Sequence, residues 1–201
     1  MTDYLVFDLE TQYSAQDVGG WEHIDEMKMS VGVVWDSIKQ DFFVYQEEQV
    51  FDLIEHLKSG PLVVGFNHIG FDYRVLTGYF PNSERSKVFA ELEEVNNLDL
   101  LLDIKSRLGF RLKLDNLVQS SLGVGKSADG LQALEWFKEG KMDLIREYCK
   151  QDVAVTRDLY LYGLEKGMVY YDSGREGIKK LPVDWHTVVV EEDTPPEQLS
   201  F

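Results

Sequence analysis

Two carboxylates break into an otherwise apolar segment near the start of the chain, where Tyr4-Leu5-Val6-Phe7 is followed by Asp8, Leu9 and Glu10. The run through Phe7 is too apolar for a half-exposed strand and suits a central strand covered on both faces. Residues two apart on a strand share a face, so Asp8 and Glu10 point the same way. Like charges at the end of a buried strand repel and lose hydration, and a cation lying between them relieves both penalties. The alternative is a strand that stops at Phe7 and leaves both acids solvated.

The pattern that follows supplies cover for such a strand. Thr11 to Glu26 is polar, contains Gly19-Gly20 and reads as a loop. Ser30 to Trp35 and Asp41 to Tyr45 are β-branched and aromatic runs joined by a short polar turn, the pattern of an antiparallel hairpin. Glu47 to Lys58 places Val50, Phe51, Ile54 and Leu57 on one helical stripe, ended by Gly60-Pro61. Leu62 to Phe66 is a buried-strand run, Asn67 to Gly70 a loop, and Phe71 to Tyr79 a helix, together suggesting a βαβ unit. Pro81 to Glu94 reads as a charged surface connection and Asn96 to Asp99 as a brief edge strand, with Asp99 capping a helix to Leu108. Lys113 to Leu122, Gly130 to Lys138 and Lys141 to Glu165 are helical, the last with Leu144, Ile145, Tyr148, Val155 and Leu159 on its buried stripe. Small strands are expected around Val169, Ile178 and Trp185 to Val190, and a frayed tail from Thr194. No repeat or linker divides the chain. The expected partition is an α/β body over residues 1–166, with residues 167–201 as a C-terminal β extension and tail packed on it.

Composition limits the chemistry. A chain of 201 residues, 44% hydrophobic, can bury a core without staples. Cys149 is the single cysteine and His23, His56, His68 and His186 are scattered, which excludes a disulfide framework and a zinc finger, so any metal is held by oxygen. No apolar stretch approaches the ~20 residues of a membrane span, and Asp3 stands where a secretory signal carries positive charge, so a cytoplasmic protein with no membrane partner is expected. The formal charge of -16 is the opposite of the basic footprint of a polyanion binder and by itself speaks against nucleic acid.

Three further acids and aromatics change that expectation. Asp72 opens the helix after the second central strand, and ligands of α/β sheets gather beyond the carboxyl ends of strands, so it approaches Asp8 and Glu10 if the two strands are neighbours. It also suits a plain first-turn acid complementing the helix dipole. Tyr148 and Asp152 lie four apart on the last long helix and share a face, which asks for a partner for Asp152 unless that acid is exposed. An oxygen-bound divalent metal satisfies all four acids together.

Phe7-Asp8-Leu9-Glu10-Thr11, Asn67-His68-Ile69-Gly70-Phe71-Asp72 and Tyr148-Cys149-Lys150-Gln151-Asp152 resemble the three motifs of the DEDD superfamily of ribonuclease-H-like 3′-5′ exonucleases, in its tyrosine branch. The Asn67 to Asp72 spacing and the Tyr-Cys pair are closest to the proofreading domains of family B DNA polymerases, and Glu147 stands where the histidine branch has His. The similarity spans residues 4 to 162, and the whole chain looks like bacterial helicase-associated ribonuclease-H-like domains. The resemblance implies a ribonuclease-H-like fold with a mixed five-stranded sheet. It also implies a two-metal hydrolase that uses two Mg²⁺ or Mn²⁺ ions to release nucleoside 5′-monophosphates from a single-stranded DNA or RNA 3′ end. By carry-over, Asp8 bridges the metals, Glu10 and Asp152 complete the nucleophile-side site, Asp72 serves the second metal and Tyr148 orients the attacking water. Leu9 and Phe71 are implied to pack on the terminal base, Thr11 and Asn67 to contact the terminal nucleotide, and Lys113 a phosphate. The alternative is a catalytically silent module docking on a helicase or repair partner, and a third possibility is an endonuclease of ribonuclease H type.

Other residues read more plainly. Asp99 and Asp103 are expected to cap and be solvated, His68 to lie on a surface loop, and Gly123-Val124-Gly125-Lys126-Ser127 to be an interhelical loop without phosphate-loop spacing. Lys105, Arg107, Arg111 and Lys113 are a solvated helix end or a short phosphate track. Two cations at the acids would offset only part of the negative charge. Weak binding to one short 3′ end is therefore expected, with added affinity supplied by a basic partner.

Overall fold

The computed structural model describes residues 3–125 and 130–186. Leu5–Thr11 forms β1, the centre of a five-stranded sheet in the order β3-β2-β1-β4-β5, with β2 at Met29–Asp36, β3 at Asp41–Gln46, β4 at Val63–Gly65 and β5 at Asn97–Asp99. β1, β2 and β3 run antiparallel as a meander, and β1, β4 and β5 pair in parallel, so the sheet is mixed, as expected. The helices among the described residues are α1 (Val50–Ser59), α2 (Asp72–Thr77), α3 (Asn82–Glu93), α4 (Leu100–Leu108), α5 (Leu114–Leu122), α6 (Gly130–Lys138) and α7 (Met142–Lys166).

The alternation of β1 assigns the two faces. Tyr4 and Val6 enter a core built with Ile145, Cys149 and Val153 of α7, while Leu5, Phe7 and Leu9 enter a second core with Leu53 and Leu57 of α1 and Tyr73 and Leu76 of α2. Period two then sends Asp8 and Glu10 to the α7 face, where both are half-buried. α7 packs directly on β1 and β2. Each face of β1 thus has its own hydrophobic layer, which is why the strand is apolar on both sides.

Several expectations need correction. Residues 82–93 form α3 rather than an irregular connection; its burial rests mainly on Val88 and Leu92, too sparse a stripe to register as helical periodicity. Leu53, not Phe51, completes the α1 stripe, and Phe51 is 52% exposed. Leu144 is also exposed, at 46%. Glu47–Gln49 and Trp21–Glu26 are 3₁₀ turns. Beyond α7, β6 (Met168–Asp172) and β7 (Ile178–Pro182) pair as an antiparallel hairpin, with β6 against α5 and α7. Trp185 is no strand residue. It buries its ring against Tyr160, with centroids 6.2 Å apart, and a Cβ on Gly163 would stand 2.1 Å from that ring, so only glycine admits it. Residues 126–129, 187–190 and the tail from Thr194 lie outside the described residues. Among the described residues no helix is long and apolar enough to cross a membrane.

Candidate metal centre

The C-terminal half of β1, the start of α2 and the middle of α7 meet at one place. Asp8, Glu10 and Asp152 each offer a carboxylate oxygen, and the three oxygens lie within 4.8 Å of one another. Asp72 stands beside this trio rather than in it. Its Oδ1 accepts the Leu9 N–H at 3.1 Å, tying the first residue of α2 across to β1. The parallel pairing of β1 with β4 makes this possible, because the chain leaves β4 on the same edge at which β1 presents its acids.

Electrostatics make the cluster costly. Asp8 is pushed well above the usual carboxylate range by burial first, then by Asp72, Glu10 and Asp152, with only the Cys149 thiol acting the other way. That thiol lies 3.6 Å from Asp8 Oδ2 and 3.5 Å from its backbone carbonyl, as a weak donor. Burial raises Asp72 to about 7 against the opposing effect of the Leu9 and Asp72 backbone N–H groups. The charged groups that act on Asp8 are thus all acids, and a cation is the partner that reverses every one of those repulsions. Oxygen donors, several carboxylates and partial burial together match the ligand chemistry of a hard divalent ion.

Tyr148 sits one helical turn before Asp152, 5% exposed, and its hydroxyl donates to the Asp152 carboxylate. Burial, then the neighbouring acids, hold its proton well above the ordinary tyrosine range. It is a neutral hydroxyl at physiological pH and can orient an oxygen but not act as a base. The Trp136 ring meets it edge-on at 6.2 Å.

A cleft of about 580 Å³ opens beside the acids, lined by Leu9, Glu10, Thr11 and Phe71, four residues singled out from sequence, and also by Tyr13, Trp21, Leu131 and Leu134. Trp21 is 67% exposed, and its ring faces Phe71 at 6.4 Å. Nothing in its polar surroundings marks Trp21 in the sequence; the signal is an aromatic directly after Gly19-Gly20, whose φ values of 94° and 146° favour glycine. Asn67 and Lys113 are not in the cleft wall. Asn67, at φ 71°, accepts a hydrogen bond from Arg111 at 2.9 Å, and Lys113 is the exposed residue before α5.

Other expectations divide. Arg107 is paired with Asp103, which also accepts the Trp185 indole N–H, so that part of the basic group is structural. His68 is fully buried instead of lying on the surface, and Asp99, 5% exposed, caps α4 without being solvated.

A five-stranded mixed sheet with helices on both faces and acids at the end of its central strand is the ribonuclease-H-like α/β fold. No family model and no curated protein matches the chain. Among solved structures it is similar to the family B DNA polymerase from the hyperthermophilic archaeon Pyrobaculum calidifontis, with a TM-score of 0.56 and 19% identity over 83% of this chain and 24% of that one. The likeness is one of fold, and this chain spans about a quarter of the polymerase's length.

Proposed function

We propose that this chain is a metal-dependent 3′-5′ exonuclease that releases nucleoside 5′-monophosphates from the 3′ end of single-stranded DNA or RNA. The observation that carries the reading is the meeting of Asp8, Glu10 and Asp152 within 4.8 Å, with Asp72 hydrogen-bonded to the intervening Leu9 and Tyr148 to Asp152. These are the five residues that the three motifs single out, drawn from β1, α2 and α7, three elements far apart in sequence. The fold shared with a family B polymerase supports the same reading.

Asp8, Glu10 and Asp152 would hold one Mg²⁺ or Mn²⁺, and Asp8 with Asp72 a second. Such ions supply positive charge to the phosphate and acidify a bound water. The chain's own residues do the rest. Tyr148 presents a neutral hydroxyl to an incoming oxygen, held in place by Asp152. Leu9, Phe71 and Trp21 give apolar surface on which an unpaired base can rest, and the cleft beside Glu10 accommodates a nucleotide. Thr11 and Asn67 are placed in the reading at the terminal nucleotide, and Lys113 at a phosphate.

The test is degradation of end-labelled single-stranded DNA and RNA with Mn²⁺ or Mg²⁺. Mononucleotide release that is lost with EDTA and in Asp8→Ala supports the proposal. A silent docking module would release nothing while a control exonuclease acts in parallel.

A further inference from the structure

The loop that delivers Asp72 is not held by α2 alone. Between β4 and α2, residues 66–71 make a short turn in which Asn67 adopts a left-handed backbone conformation at φ 71°. Two of its amides find their acceptors outside the turn. The Asn67 N–H donates to Asp99 Oδ1 at 2.8 Å and the Ile69 N–H to Asp99 Oδ2 at 3.2 Å. The same Oδ1 accepts from Leu101 and Leu102, at 3.0 and 3.2 Å, as the N-cap of α4. One buried carboxylate therefore fastens the start of α4 and the Asn67 to Ile69 backbone together.

From there the connection runs on to the acids. Phe71 N–H donates to Asn67 carbonyl at 2.9 Å, Tyr73 N–H to His68 carbonyl at 2.9 Å, and Leu9 N–H to Asp72 Oδ1 at 3.1 Å. The His68 ring closes the underside of the turn. Its Nε2 lies 3.1 Å from Asn97 Oδ1, and its Nδ1 faces Asp99 Oδ2 at 3.6 Å, beyond hydrogen-bond length. A Cβ on Gly65 would come within 2.7 Å of that Nδ1, so the glycine is what lets the ring sit there.

We propose that Asp99 is a positioning residue for the metal centre: through the Asn67 and Ile69 amides it sets where Asp72 stands relative to Asp8. The inference rests on the metal reading above and adds to it a residue outside the three motifs. An ordinary N-cap needs one acceptor for the α4 amides. The second oxygen of Asp99 is spent on the loop, and a carboxylate serves both amide sets where a hydroxyl cannot.

The difference gives the test. Asp99→Ser retains an N-cap oxygen for Leu101 and Leu102 but is too short to reach the loop amides of Asn67 and Ile69 as well. Asp99→Asn retains the Oδ1 bonds and loses the one to Ile69. Calorimetric titration with Mn²⁺, with circular dichroism and thermal melting to establish folding, is run on wild type and both variants, and amide exchange at Asn67 and Ile69 on the metal-free proteins. Outer-shell partners typically change metal affinity about 10–100-fold. The expected result is a folded Asp99→Ser with fast exchange at both amides and one Mn²⁺ site weakened by about tenfold or more, with Asp99→Asn in between. Leu53→Ala, in the α1 core, should lose stability and leave the Mn²⁺ titration unchanged. If the wild type binds two Mn²⁺ and Asp99→Ser binds both equally well, Asp99 is only a cap and the inference is overturned. If the wild type binds no Mn²⁺, the metal reading itself falls, and this inference with it.

Discussion

Asp72→Asn should make the metal-free protein more stable. Asp72 is 3% exposed and its carboxyl is raised from 3.8 to about 7, with burial as the main cause. A carboxyl whose folded value lies above its unfolded one favours the folded state while protonated, and that advantage is lost as pH rises from 3.8 toward 7. A displacement of about three pH units corresponds to roughly 4 kcal/mol of penalty on the ionised side at pH 8. Near pH 5 the accumulated penalty is less than half of that. Asparagine keeps the acceptor for the Leu9 N–H and carries no charge, so it escapes the penalty at little cost in hydrogen bonding. Chemical denaturation of both proteins in EDTA at pH 5 and pH 8 measures the gap, which should be several kcal/mol at pH 8 and less than half of that at pH 5. Saturating Mn²⁺ should reverse the order, because the ion stabilises the protein with the carboxylate. A variant no more stable than wild type at pH 8, or a gap independent of pH, would refute the burial argument for Asp72.

Three further outcomes follow from the same geometry. Tyr148→Phe removes a hydroxyl whose proton is held above the ordinary tyrosine range by burial and then by the neighbouring acids, so kcat should fall about tenfold to hundredfold with Mn²⁺ affinity and the acid limb of the pH profile unchanged. A vanished alkaline limb would instead mean that the tyrosine titrates. Trp21→Ala should weaken capture of single-stranded ends by about 1–3 kcal/mol in KM or in a fluorescence titration; because the ring is 67% exposed, the melting temperature should hardly move. Gly163→Ala drives a methyl into the Trp185 ring and should cost about 1–3 kcal/mol in urea denaturation. No loss there would mean that the segment after β7 does not pack on α7 as described.

The central parts of the fold were legible because their residues leave few choices. β1 is apolar on both faces, the β2–β3 hairpin is two β-branched and aromatic runs joined by a polar turn, and Asp99 stands where a cap is needed. Asp8 and Glu10 stood out for a related reason: two acids in an apolar strand are a local inconsistency, and the structure keeps both inside β1 and brings them together with Asp152. What escaped is what depends on tertiary neighbours. α3 carries a stripe of only Val88 and Leu92 over a charged surface, so its period is faint until α2 packs beside it. Phe51 and Leu53 compete for the same stripe, and the winner is decided by the hydrophobic layer below α1. His68 looked like a loop residue because loop histidines are polar. It is buried because Gly65 and Asn97 make room and a partner for the ring, facts that no local window contains. Trp21 lines the cleft beside Phe71, a neighbour 50 residues away in sequence that no local window contains.

The most direct test of the central claim compares one single-stranded oligonucleotide in linear and circularised form, each incubated with the protein and Mn²⁺ beside Asp8→Ala. The account predicts nucleoside 5′-monophosphates from the linear strand, stepwise shortening from its 3′ end, an intact circle, and no product with the variant. Fragments from the circle, or an untouched linear strand under conditions in which a control exonuclease degrades it, would contradict it.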